Sequence, residues 1–221
     1  MRLTLFPARI FLALGWTRAG VEKVIDRDWW AGDYVRDFLA SKREEALPFA
    51  SWSTDWIGTR AAIGISFVVL ILELTIGLLL FTGRRMAGVL ATASALNIAF
   101  VALGAVNPSA FYLVIQLTLM LGLVASKPVV SQIWNLAAIG AAGVLALAIA
   151  PFITTMHPHG VIDDPAIMLS TLFMLVAATL AIRLCDHREV QRSSLSSNPH
   201  SSGTDANSDA KVTAPVTLST R

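Results

Sequence analysis

The sequence predicts an all-α integral membrane protein of six spans with a disordered polar tail. Three observations carry that prediction. Of 221 residues, 55% are hydrophobic and only 14% are charged, whereas a soluble domain of this size carries about 25% charge. Apolar stretches recur at residues 7–25, 58–82, 86–106, 109–126, 132–153 and 166–184, each near the ~20 residues that cross a hydrocarbon core. The breaks between them hold the residues that end helices, such as Gly83-Arg84-Arg85 and Asn107-Pro108.

The first stretch carries Arg9, Arg18, Glu22 and Lys23. Arg9 and Arg18 interrupt its apolar run and no small-residue cleavage site follows, so it is expected to be a retained helix rather than a signal peptide. Residues 26–57 then form an outer amphipathic loop holding four of the six tryptophans: Trp29, Trp30, Trp52 and Trp56. Tryptophan here suits the aromatic belt at a membrane interface. Tyr34, Val35, Phe38 and Leu39 recur at helical spacing opposite Asp33, Arg36 and Asp37. They predict a short amphipathic helix lying on the membrane face, or a lid over a lipid-soluble ligand.

The second span holds Glu73, and the basic 83–85 turn follows it. In Val106-Asn107-Pro108 the proline is placed to open the fourth span. Ala137, Ala141, Ala142, Ala146 and Ala150 suggest close packing of the fifth helix on a neighbour. From residue 187 the chain turns to serine, threonine, asparagine and aspartate, which bury too little surface to order a chain. The expected division is 1–127 as a four-helix unit, 128–186 as two further helices and 187–221 as the tail. No internal repeat is present.

Arg2, Arg84, Arg85, Lys127, Arg183, Arg188 and Arg192 fall on one side of the six spans. The positive-inside rule makes that side cytoplasmic and puts both termini there, with the plasma membrane as the expected location. A net charge of +2 is too small for a nucleic-acid-binding surface. A single cysteine, Cys185, excludes an internal disulfide or CxxC centre.

A carboxylate within a span costs several kcal/mol unless it is paired, protonated or wetted, so Glu73 needs an answer. Arg18 is the expected partner. It lies roughly 16 Å into the first helix at ~1.5 Å per residue, on a stripe with Phe11, Gly15 and Glu22. Glu22 and Lys23 sit nearer the boundary and can snorkel. Asn97 lies near the centre of the third span with Ser94 on the same face, and Gln116 near the centre of the fourth, one turn from Tyr112. Arg18, Glu73, Asn97 and Gln116 are expected to point inward together. Glu73 and Arg18 would form a reactive centre, with Asn97, Tyr112, Gln116 and Glu22 around a bound cofactor. The alternative is that these groups only glue helices together.

Other chemistries lack their residues. No histidines stand at matched depth for a transmembrane haem. His157 and His159 with Asp163 and Asp164 could catch a metal ion, but no third ligand at helical spacing supports them. No iron–sulfur cysteine set, phosphate loop or nucleophile elbow is present.

Three segments carry a family resemblance. The first helix has Gly15, Gly20 and Lys23 before an acidic, tryptophan-containing turn with Asp26 and Trp29. The second has Glu73 and Gly77 before the basic turn of Gly83 and Arg84, and the third has Asn97 before Asn107-Pro108. Over residues 7–125 the chain resembles the DoxX/DoxD family of small membrane proteins. The resemblance implies a four-helix bundle, extended here by two helices and the tail. It also implies a membrane subunit of a redox complex that passes electrons to quinone, in the DoxD type from thiosulfate. The first hypothesis is therefore a quinone-linked oxidoreductase subunit, working with a partner subunit in the bilayer. The second is a non-enzymatic membrane scaffold that recruits soluble redox or stress-defence enzymes.

Overall fold

The computed structural model describes residues 5–125, 132–154 and 163–196, with side chains to residue 186, and its described elements are all helical. Helix α1 (Phe6–Ile25) opens with Pro7 in its first turn and ends at Asp26, whose backbone is extended. The Asp26 carboxylate accepts from Asp28 N at 3.0 Å and so caps α2 (Arg27–Ala31). Gly32, at φ 76°, turns the chain into α3 (Asp33–Lys42). A side chain there would press to 2.9 Å on the Ile63 backbone nitrogen, so glycine serves both the turn and the close approach.

Helix α4 (Pro48–Trp56) runs through one wide π turn at Ile57–Ala61 into α5 (Ala62–Thr82). Gly83, at φ 68°, stops α5, and α6 (Met86–Ala102) follows. In α7 (Val106–Ala125) Asn107 is extended, so the regular helix begins at Pro108 as the Asn-Pro pair predicts. Helix α8 (Gln132–Ile149) ends in a tight turn at Ala150–Phe152, and α9 spans Pro165–Ser196.

Four helical runs are long and apolar enough to cross a membrane: Pro48–Thr82, Val106–Val124, Gln132–Phe152 and Pro165–Asp186. Helix α6 is apolar but shorter, and α1 carries four charged side chains. The most extensive contacts join α1 to α5, α6 to α7 and α8 to α9. Leu12, Ala13 and Trp16 of α1 meet Ile76, Leu80, Leu90, Ala93 and Leu119 in one core. Small residues set the α1–α5 distance, since a side chain at Gly77 would strike Thr17 and one at Gly20 would strike Leu74. The α8–α9 hairpin joins α6 and α7 through Ile149, Ala166 and Leu169.

Several expectations need correction. Residues 26–57 are largely three helices, and the apolar face of α3 is turned to protein rather than to lipid. Val35 and Leu39 are buried with Trp29, Ala62 and Val69. Trp29 is no interfacial anchor, because its indole is buried and donates to Ser66 O at 3.0 Å. Trp30, Trp52 and Trp56 are exposed, as an aromatic belt requires. Of the fifth helix's alanines, Ala142 and Ala146 are buried while Ala137 and Ala141 are exposed. Helix α9 continues past residue 187 to Ser196, where Arg188, Glu189, Gln191 and Arg192 are good helix formers. The rest of the expected tail, His157, His159 and Lys127 lie outside the described residues.

Candidate functional site

Glu73 sits at the middle of the buried stripe of α5, among Ser66, Val69, Leu70, Ile76, Gly77 and Leu80. Burial at this 3.6-residue spacing turns its carboxylate into the bundle, and its residue is 3% exposed. Its partner is Lys23. The Lys23 ammonium is 2.9 Å from both carboxylate oxygens. It donates an aligned hydrogen bond to Oε1, while Oε2 lies within ion-pair reach but carries no aligned bond. The same ammonium stands 4.8 Å from the centre of the Trp29 ring, a cation–π contact.

Arg18 does not reach Glu73. It pairs with Glu22 at 2.7 Å, one turn along α1, on a side chain 81% exposed. The reason is angular. At about 100° per residue, Leu12, Trp16, Gly20 and Lys23 share one face of α1, and three of them are the buried face. Arg18 stands on the opposite side. The depth argument that favoured Arg18 ignored the direction of its side chain.

Glu73, Lys23 and Asn97 line a cavity of about 330 Å³ between α1, α3, α5, α6 and α7. Its walls are aromatic: Trp16, Trp29, Tyr34, Phe38, Phe100 and Tyr112. Trp16 stacks on Tyr112 with ring centroids 6.2 Å apart, and Trp29 lies 5.4 Å from Tyr34. Helix α3 contributes Val35, Phe38 and Leu39 to the same walls.

Two buried donors on this cavity have no hydrogen-bond partner among the described residues. They are Trp16 Nε1 and Asn97 Nδ2, on residues 3% and 2% exposed. Buried polar groups are normally paired, because an unpaired one costs about 1–3 kcal/mol. The two donors come from different helices, α1 and α6, and both residues line the cavity together with Lys23.

Of the residues singled out by sequence, Glu73, Asn97 and Tyr112 meet at the cavity, while Arg18, Glu22 and Gln116 do not line it. Gln116 is fully buried, and its Oε1 accepts from the Ser94 hydroxyl at 3.1 Å. That contact ties α6 to α7, which is the glue role. Sequence reasoning missed Lys23, Trp16 and Trp29 as members of the site. The 12-16-20-23 spacing was the available signal for Lys23 and Trp16.

The suggested metal set is answered by Asp164, which is already saturated. Its Oδ2 accepts from Thr154 N and Oγ1, both at 2.9 Å, and its Oδ1 from Ala166 N at 2.8 Å and Ile167 N at 3.1 Å. Burial alone would raise its pKa, but these four bonds outweigh it and hold the carboxyl below the ordinary carboxylate range. It is the N-cap of α9. Among the described residues no group of three His, Cys, Asp or Glu could hold a metal ion.

Comparison of the chain with protein-family models, with curated proteins and with solved structures gives no match.

Proposed function

We propose that this chain is the membrane subunit of a quinone-linked oxidoreductase and holds a quinone head group in the Lys23–Glu73 cavity. The observation that carries this reading is the pair of unspent donors, Trp16 Nε1 and Asn97 Nδ2, on residues lining an aromatic cavity with the half-buried Lys23–Glu73 ion pair. A quinone supplies what such walls lack: two carbonyl acceptors on a flat ring that stacks against indole and phenol. The volume of about 330 Å³ falls at the small end of ligand sites, which run from about 300 to 1,000 Å³. It suits a ring rather than a whole lipid.

The chemistry of this site is proton handling. Reducing a quinone to a quinol takes two electrons and two protons. Glu73, after taking up a proton from water, would pass one proton towards a carbonyl oxygen while Lys23 holds the charge left behind, and the second proton would come from water. Electrons would come from a partner subunit, since the single cysteine of this chain cannot form a dithiol couple by itself. The DoxX/DoxD resemblance of residues 7–125 supports the same reading, with thiosulfate as the donor of the DoxD type. Six spans in the plasma membrane, with both termini cytoplasmic, would put α2–α4 on the outer face.

The test is a native purification with extraction of lipid-soluble cofactors, run for wild type and Asn97→Leu. Quinone in the wild type, absent from the variant, together with donor-dependent quinone reduction by wild-type membranes, is the expected result. A wild type without quinone that carries stable soluble partners would favour the scaffold instead.

A further inference from the structure

The Arg18–Glu22 pair of α1 lies away from the cavity. We infer that the outward face of α1 is a seam for a second copy of this chain, with Arg18 and Glu22 as its polar registration point. This inference is independent of what the cavity binds.

Depth comes first. Thr17 abuts Gly77 and Gly20 abuts Leu74, so Arg18 stands level with the Leu74–Gly77 turn of α5, just past the midpoint of Ala62–Thr82. That helix belongs to a run apolar enough to cross a membrane. An arginine at this level almost always faces protein or a wetted cavity. Among the described residues Arg18 faces neither, being 81% exposed and bonded only to Glu22 on the same helix.

The pattern around it names the cover. Phe11, Leu14, Arg18, Val21 and Ile25 follow one another at steps of three, four, three and four, and all are exposed. This is the repeat by which two parallel helices interlock, apolar at every position but one, with Glu22 flanking. A single polar residue in such a seam fixes register and partner number. The face is also self-complementary in charge. A two-fold axis along the bundle sets each Arg18 within one turn of Glu22 on the other copy, and the four charges close into a neutral ring. A partner of different sequence would need its own matching acid and base.

The test uses full-length protein in native membranes, in a Cys185→Ser background that removes the exposed native thiol. Leu14→Cys is expected to form a disulfide between copies on mild oxidation, while Phe67→Cys, on the exposed face of α5, is not. Arg18→Glu or Glu22→Arg added to Leu14→Cys should each lower the cross-linked dimer about tenfold, the scale of one lost interhelical contact of charged groups. Co-expressing the two charge variants under different tags should restore it as a heterodimer. The inference fails if Leu14→Cys stays uncross-linked, if it links to a different protein, if both charge variants dimerise like their parent, or if the mixed pair is not restored. Leu14→Cys alone keeps the charges intact, so it reports even where a charge variant does not insert.

Discussion

Two helical groups in this chain treat buried polar atoms in opposite ways. Among the described residues of the α8–α9 hairpin, buried Asp164 accepts four hydrogen bonds, and the half-buried Ser170 hydroxyl donates to Ala146 O at 3.1 Å. In the group formed by α1, α5, α6 and α7, Trp16, Asn97 and Gln116 each leave a buried nitrogen without a partner among the described residues. The first pattern is that of a structural element, in which polarity serves capping and register. The second tolerates a standing cost, part of it at the cavity through Trp16 and Asn97 and part away from it through Arg9, Thr17 and Gln116.

The contrast can be broken most sharply at the ion pair. Lys23→Met leaves the Glu73 carboxylate buried and unanswered, and should lower unfolding stability in detergent by roughly 3 kcal/mol or more. The double variant Lys23→Met/Glu73→Leu should regain most of that loss. A single variant as stable as wild type would mean that the pair is not buried in the folded protein.

The hairpin should respond to volume and capping rather than charge pairing. Ala146→Leu forces a larger side chain against α9 and should cost about 1–3 kcal/mol without altering ligand binding. Asp164→Ala removes the α9 cap and should cost about 1–2 kcal/mol at neutral pH. The folded Asp164 has a depressed pKa, so its contribution is complete above the ordinary carboxylate range and fades as pH falls through and below it. Thermal unfolding followed against pH should therefore show an acid-side loss that Asp164→Asn flattens.

The smallest effect on stability should come from Asn97→Leu. It replaces an unsatisfied amide by an apolar group of similar size, so stability should stay level or rise slightly. Ligand affinity should nevertheless fall about tenfold, the value of one good hydrogen bond in a dry site. Opposite signs in stability and binding would separate this cavity from the hairpin, where no such split is expected.

Much of this was legible in the residues. The membrane character follows from composition, the α5 stripe from Glu73 among apolar neighbours at helical spacing, and the start of α7 from Asn107-Pro108. Asn97 and Gln116 turn inward as their central positions require. The charge partner was not found by depth. Arg18 and Lys23 are both within reach of Glu73 along the axis, and only the helical face decides between them. That face was visible in the apolar positions Leu12 and Trp16. The three helices within 26–57 were legible only in part, because they are held by tertiary contacts such as Trp29 to Ser66 and Val35 to Val69 rather than by periodicity alone.

The most direct measurement is a titration of the purified, folded protein with a short-chain quinone, followed through its tryptophan fluorescence. Saturable quenching at one quinone per chain, with an affinity strongly weakened in Trp16→Phe/Asn97→Leu and unchanged in Arg18→Gln, is the predicted result. Linear, unsaturable quenching in the wild type, or saturation that the double substitution leaves untouched, would contradict it.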